Sequence, residues 1–264
     1  MRENVFMVTG CAHGIGKTLI FRLIEEGARI IGCDIDQNAL RGLVYKLKKY
    51  RERLLCISVD VTDEEKIKKT VHKGLEKFGR IDVLVNNAGG SENWARIRKT
   101  GKFSAPALFE KVSMEDWNKD IRLNLTSGFL CAKHVIPIMK SQEHGVIINI
   151  SSLAARTGGN FESVTYASGK AGVLGLTRRM AKELGPFGIR CNCILPGFVM
   201  TERNQKVWAN VSLIKRNEVI GKIPLRRFCE PSELVDVIMF LASDKAGYIT
   251  GISLDVSGGF FMNP

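Results

Sequence analysis

Apolar residues fall into two alternating rhythms along this chain. Short β-branched or apolar runs, suited to strands, take turns with longer stretches whose apolar positions recur every three or four residues. Val5–Thr9 is the first such run, and behind it Ile15, Leu19, Leu23 and Ile24 mark one side of a helix over 15–26. A strand at Arg29–Cys33, a helix over 37–50, a strand at Leu54–Val59, a helix over 63–78 and a strand at Ile81–Val85 follow. These runs are apolar almost throughout, as expected of a parallel sheet covered on both faces. After Gly89 the pattern lapses into an irregular basic stretch until about Val112. It resumes with a helix over 113–139, for which Ser113 and Asp116 are N-terminal capping candidates, and a strand at Gly145–Ile150. A helix over 164–184, a strand at Arg190–Leu195, a segment 197–224 of undetermined form, a helix over 231–241 and a strand at Ile252–Val256 complete the chain. Seven strands and six main helices predict an α/β fold with a doubly wound parallel sheet flanked by helices. No repeat, low-complexity tract or Pro/Ser-rich linker divides the 264 residues. Residues 1–264 therefore read as one domain, with loops at about 90–112, 153–165 and 197–224 left to shape a substrate site.

Bulk chemistry narrows the picture. Apolar residues make up 45% of the chain, enough for a core, yet no window offers the apolar run of a signal peptide or a spanning helix. The expectation is a soluble, cytoplasmic protein with no membrane partner. Seven scattered cysteines without a CxxC pair argue against both a disulfide framework and a zinc site, so no metal is expected. Cys11 stands apart because it falls in a glycine-rich turn before a helix, where thiolate is favoured. Lysine and arginine number 39 against 27 acidic residues, a net charge of +12. Such a balance attracts anions, but it is interleaved with acidic residues, as in Asp63-Glu64-Glu65-Lys66, and no groove-reading motif accompanies it. Nucleic acid is not an expected partner.

Thr9-Gly10-Cys11-Ala12-His13-Gly14-Ile15-Gly16 joins the first strand to the first helix. Glycines there permit a tight turn and let a pyrophosphate approach backbone N–H groups at the positive helix end. A phosphate-binding P-loop, hinted at by Gly16-Lys17-Thr18, would need glycine at position 11 and finds Cys11. Asp34 closes the second strand, where a carboxylate can accept from both hydroxyls of an adenosine ribose and repel a 2′-phosphate. That favours NAD over NADP, although His13 and Lys17 could tolerate a phosphate and Asp34 could merely cap the next helix.

Tyr166 and Lys170 lie one helical turn apart and emerge on one face. A free phenol titrates near pH 10, and a neighbouring ammonium favours phenolate, which would bring proton exchange toward neutrality. Ser151 and Ser152 end the preceding strand, at the edge where open parallel sheets bind ligands. Ser152 can reach the same crevice and hydrogen-bond a substrate oxygen while Tyr166 exchanges the proton.

In combination these residues resemble the short-chain dehydrogenase/reductase family, and the resemblance covers essentially the whole chain. Thr9-Gly10-x3-Gly14-Ile15-Gly16 resembles the family's cofactor turn, Asp60-Val61 its adenine-contacting pair, and Asn86-Asn87-Ala88-Gly89 its strand-end signature. Tyr166-x3-Lys170 is similar to the catalytic pair, Ser152 to the catalytic serine, and Asn124 to the helix asparagine of a proton relay. Pro196, Gly197, Val199 and Thr201 resemble the segment that holds the nicotinamide carboxamide. The resemblance implies a Rossmann fold, NAD(H) or NADP(H) as cofactor, Lys170 on the nicotinamide ribose, and a homotetramer or homodimer. Three departures stand out. Ser152 lies 14 residues before Tyr166, one more than the commonest spacing, which leaves Ser151 as a second candidate. Ser257 occupies a position where many relatives carry aspartate, and the loop 90–112 is long.

The expected function is hydride transfer between NAD(H) and a secondary alcohol or ketone, such as a sugar alcohol, hydroxysteroid or hydroxyacyl compound. The alternative is an NADPH-dependent reductase of the 3-oxoacyl-carrier-protein type; a cofactor-sensing protein without catalysis is a further one. Phe161, Phe198, Val199, Val207 and Trp208 could form an apolar wall, and Arg96, Arg98, Lys99 and Lys102 could meet an anionic group on the substrate.

Overall fold

The computed structural model of the chain describes residues 2–91, 107–159 and 162–262. Strands β1 (Val5–Thr9), β2 (Arg29–Asp34), β3 (Leu54–Ser58), β4 (Val83–Asn86), β5 (Gly145–Ile150), β6 (Ile189–Pro196) and β7 (Ser253–Val256) form one sheet in the order β3-β2-β1-β4-β5-β6-β7. Every pairing is parallel. β1 shows why: Phe6 and Val8 enter the core on one face, Val5 and Met7 the core on the other, so both faces need a covering layer. Helices α1 (Gly14–Glu25) and α10 (Pro231–Ala242) supply Leu19, Leu23, Leu234 and Ile238 to the first core. Helices α3 (Glu64–Phe78) and α5 (Ser127–Gln142) supply Ile67, Val71, Val135 and Met139 to the second. The doubly wound α/β fold expected of the sequence is the fold observed.

Three helical readings change. The stretch 37–50 is α-helical only over Gln37–Lys46 (α2) and then tightens into a 3-10 segment at Lys48–Arg53. The helix read across 113–139 begins at α4 (Met114–Ile121), where the Ser113 hydroxyl accepts from the Asp116 N–H, and continues into α5 through a π-helical turn, Arg122–Thr126. The undetermined segment 197–224 holds two helices, which with α6 (Ala154–Thr157) and α7 (Val164–Leu184) before them are α8 (Glu202–Trp208) and α9 (Leu213–Gly221). Thr201 and Ser212 cap these last two through their hydroxyls. Because β2 and β4 flank β1, the chain reverses its direction of winding beside β1 and opens a crevice at the carboxyl ends there.

Candidate active site

A cleft of about 530 Å³ runs along those strand ends. Each strand but the last delivers residues to it: Gly10, His13, Gly14 and Ile15 after β1, Asp34 at the end of β2, Asp60 and Val61 after β3, Asn87, Ala88 and Gly89 after β4, Ser152 after β5, and Pro196, Gly197, Val199 and Thr201 after β6. Tyr166 and Lys170 reach it from α7. Of the residues expected to bind cofactor or take part in catalysis, Gly16 and Asn124 stand behind the lining.

The turn after β1 is built for a close approach. Gly10 has φ +65°, and a Cβ on Gly16 would lie 2.1 Å from the Gly10 carbonyl oxygen, so only glycine lets α1 start this near β1. Asn87 donates from Nδ2 to the carbonyls of Thr9 and Gly10, both at 3.0 Å, while the Thr9 hydroxyl accepts from the N–H groups of Asn87 and Ala88. The side chain of Asn87 thus clamps β4 to the turn. The first turn of α1 carries no acidic side chain and no side-chain cap of its own; from α8 the Glu202 carboxylate meets the Gly14 N–H at its positive end. Cys11 does not behave as the sequence suggested. It is buried, and a hydrogen bond with Cys56 together with burial raises its thiol well above the usual range, so thiolate is disfavoured.

Asp34 ends β2 with its carboxylate accepting from the Ala12 N–H at 2.8 Å and the Asp36 N–H at 3.0 Å. It is not the cap of α2. That part falls to Asp36, which accepts from the Ala39 N–H and also meets His13 Nε2 at 2.8 Å. Lys17 pairs with Glu202 at 3.2 Å, so both side chains that could have received a phosphate have a carboxylate partner. Asp60 turns its carboxylate onto Thr62.

Lys170, 4% exposed, donates to the Ile150 carbonyl at 2.9 Å and lies 5.8 Å from the centre of the Tyr166 ring. Gly89 makes room for it: a Cβ there would sit 2.8 Å from Lys170 Nζ and 2.9 Å from Asn124 Oδ1. Ser152 stands close enough to the Tyr166 phenol to favour its ionised form and accepts from the Ala154 N–H at 3.1 Å, whereas Ser151 is buried with its hydroxyl donating to the Lys170 carbonyl. Of the two serines, only Ser152 offers its hydroxyl to the tyrosine.

The expectation that Lys170 acidifies Tyr166 fails. Burial raises the phenol above its ordinary value, the nearby Ser152 hydroxyl opposes this, and Glu162 and Asp120 raise it further. Burial likewise draws the Lys170 amine down to about 8. Desolvation is the largest influence on each of the two groups.

Asn124 occupies the π-helical turn, which aims its amide at the strand-end loop: it accepts from the Gly90 N–H at 3.0 Å and donates to the Gly90 and Asp120 carbonyls. Its side chain satisfies buried backbone. Asp120, Glu162, Arg203 and Ser91 also line the cleft, and no motif or spacing in the sequence points to them; their proximity depends on how α4, α7 and α8 pack. Phe198, Val199 and Trp208 line it as well, while Val207 is buried outside the lining. Phe161 and the basic residues Arg96, Arg98, Lys99 and Lys102 lie outside the described residues. Among the described residues, no helix is long and apolar enough to cross a membrane, and all seven cysteines are free.

Comparison with known proteins bears on this geometry. The family model described as enoyl-(acyl carrier protein) reductase matches residues 10–261. A 3-oxoacyl-(acyl-carrier-protein) reductase of Thermotoga maritima is 38% identical over 262 residues, covering 99% of both chains. A (3R)-3-hydroxyacyl-CoA dehydrogenase of Rattus norvegicus is 35% identical over 270 residues, covering 99% of this chain and 98% of its own. The crystal structure of a levodione reductase superposes with a TM-score of 0.86 at 29% identity over 98% of each chain.

Proposed function

The chain belongs to the short-chain dehydrogenase/reductase family of oxidoreductases, and we propose that it interconverts a 3-oxoacyl and a 3-hydroxyacyl thioester with NAD(H) as cofactor. The observation that carries the chemistry is the convergence of the Tyr166 phenol, the Ser152 hydroxyl and the buried Lys170 amine in one cleft at the strand ends. The substrate class follows from the names of the two enzymes at 38% and 35% identity, and the apolar wall of Phe198, Val199 and Trp208 suits an acyl chain.

A dinucleotide fits the residues present. The glycine turn leaves a cradle that a Cβ at Gly16 would destroy, and the positive end of α1 would hold a pyrophosphate. Asp60, Val61, Ala88 and Asn87 would border the adenine side, and Pro196, Gly197, Val199, Thr201 and Lys170 the nicotinamide side. The cofactor supplies or accepts the hydride. Ser152 holds the substrate oxygen, and Tyr166 donates a proton to it as the carbonyl is reduced. A phenol raised by burial stays protonated at neutral pH, which favours its use as the acid in reduction. Lys170, with its amine near 8, can return the proton to the phenolate and takes its own orientation from the Ile150 carbonyl.

The preference for NAD(H) rests on Asp34, an anion where the adenosine ribose would lie, and on the carboxylates that already engage His13 and Lys17. A second reading, reduction of the same substrates with NADPH, is favoured by Arg203, which lines the cleft near Asp36. Acetoacetyl-coenzyme A serves as the probe for the chemistry. Tyr166→Phe is expected to bind NADH as the wild type does while reducing the probe at least about 1,000-fold more slowly. Wild-type turnover by that variant would remove Tyr166 from the reaction.

A further inference from the structure

The first turn of α7 carries Tyr166, and something must fix that turn. Ser163 is its N-cap, accepting from the Tyr166 N–H at 3.3 Å. The Ser163 and Thr165 hydroxyls are 2.7 Å apart, and both donate to the same oxygen, Oδ2 of Asp120, on α4. Asp120 is 4% exposed and Thr165 2% exposed, so these bonds are shielded from water. The backbone of Asp120 is tied as well, since its carbonyl accepts from Asn124 Nδ2 at 3.1 Å. The two helices approach closely: a Cβ on Gly169 would lie 3.1 Å from the Cβ of Asn124 and 3.8 Å from the Asp120 carbonyl oxygen.

We propose that Asp120 is a positioning residue for the reaction: its buried carboxylate, receiving two hydroxyls from the start of α7, holds Tyr166 in register with the Asn124 turn and the substrate oxygen. The proposal rests on the assignment of Tyr166 as proton donor. A buried carboxylate with satisfied acceptors fixes geometry more firmly than an apolar contact, because breaking the arrangement strands a charge. Displacing a reacting group by about 1 Å costs on the order of 100-fold in rate. The titratable groups on this side of the cleft are Asp120 and Lys119 from α4, Glu162 from the loop before α7, and Lys170 from α7 itself, with the Cys193 thiol of β6 beside Lys170. Asp120 and Glu162 are the anions among them, and both hold the phenol up.

Because one oxygen takes both hydroxyls, Asp120→Asn can keep the bonds while losing the charge, whereas Asp120→Ala loses both. With acetoacetyl-coenzyme A and NADH, Asp120→Ala is expected to lower kcat about 100-fold, with KM for the probe changed by no more than about twofold. Asp120→Asn is expected to recover most of that loss. Its alkaline limb in the kcat profile for reduction should move to lower pH, since removing an anion makes the phenol easier to ionise. Wild-type kcat in Asp120→Ala, or an Asp120→Asn enzyme as slow as the alanine variant with its limb unmoved, would overturn the proposal. Should Asp120→Ala fail to fold, Thr165→Val removes one of the two donors. It is expected to slow kcat about tenfold, and an unchanged rate there overturns the proposal equally. Tyr166→Phe, assayed alongside, separates the two failures: an active Tyr166→Phe removes the proton donor itself, while an inactive one beside a normal Asp120→Ala removes only the role of Asp120.

Discussion

At the scale of single residues, the cation in the cleft is costly to keep. Lys170 is buried, and its amine falls to about 8 from an ordinary value of 10.5. Folding therefore disfavours its charged form, by roughly 3 kcal/mol at neutral pH, since a tenfold change in proton affinity is worth about 1.36 kcal/mol. The sign follows from proton counting. Between about 8 and 10.5 the unfolded chain holds a proton that the folded chain has released, so stability rises with pH across that window. Lys170→Met keeps the stem and removes the charge, at the expense of the bond to the Ile150 carbonyl. It is expected to abolish turnover while raising the thermal midpoint at pH 7 by about 5 °C, an advantage that shrinks at pH 9.5. Calorimetric melts at the two pH values check this, and a lower midpoint at pH 7 would show that the amine stabilises the fold. That Tyr166 and Lys170 stand side by side is legible in the sequence because a helix sets that spacing. The sign of the phenol's displacement is not, because desolvation depends on elements far away in the chain.

Elements position what residues perform, and here the decisive contacts lie at their ends. Gly16 lies in the first turn of α1, under the turn after β1, where a methyl group would lie 2.1 Å from a backbone oxygen that cannot yield like a flexible side chain. Gly16→Ala is expected to push α1 away from β1, lowering stability by roughly 2 kcal/mol and weakening NADH binding more than it alters far-ultraviolet circular dichroism. Binding unchanged from wild type would show that the cradle tolerates the displacement. Strand positions are legible because β1, β5 and their neighbours are apolar almost throughout between turn residues. The π-helical turn at Arg122–Thr126 is not, since one wider turn leaves the apolar rhythm of 113–139 intact while rotating Asn124 toward Gly90. The two short helices within 197–224 leave little trace in the pattern, because each is under three turns long and begins at a hydroxyl cap, Thr201 or Ser212, rather than at a rise in apolar content. Asp34 and Asp36 both stand near the start of α2, and only the twist of β2 decides which carboxylate meets the Ala39 N–H and which the Ala12 N–H.

Across the whole molecule, charge acts at two ranges. The net charge of +12 draws any dinucleotide toward the protein, and one with a 2′-phosphate more strongly, so long-range attraction by itself favours NADPH. In the proposed reading NADH is selected locally, at the end of β2, and the topology that brings β2 beside β1 is what places Asp34 against the glycine turn. Being buried, Asp34 is screened little by salt. Asp34→Asn preserves an oxygen for the Ala12 N–H and removes the charge. Losing a charge-assisted bond to a ribose hydroxyl costs about 1.5–3 kcal/mol, so NADH is expected to bind roughly 10- to 100-fold more weakly to this variant. NADPH, relieved of repulsion from the carboxylate, should bind equally well or better. Fluorescence titrations with each cofactor at low and high salt test both ranges together: both affinities should fall with salt, that of NADPH more steeply because of its extra phosphate, while at fixed salt the ratio between them should shift with the substitution. Equal weakening of the two cofactors by Asp34→Asn would mean that Asp34 supports the turn without reading the ribose, and would move the choice of cofactor to Arg203.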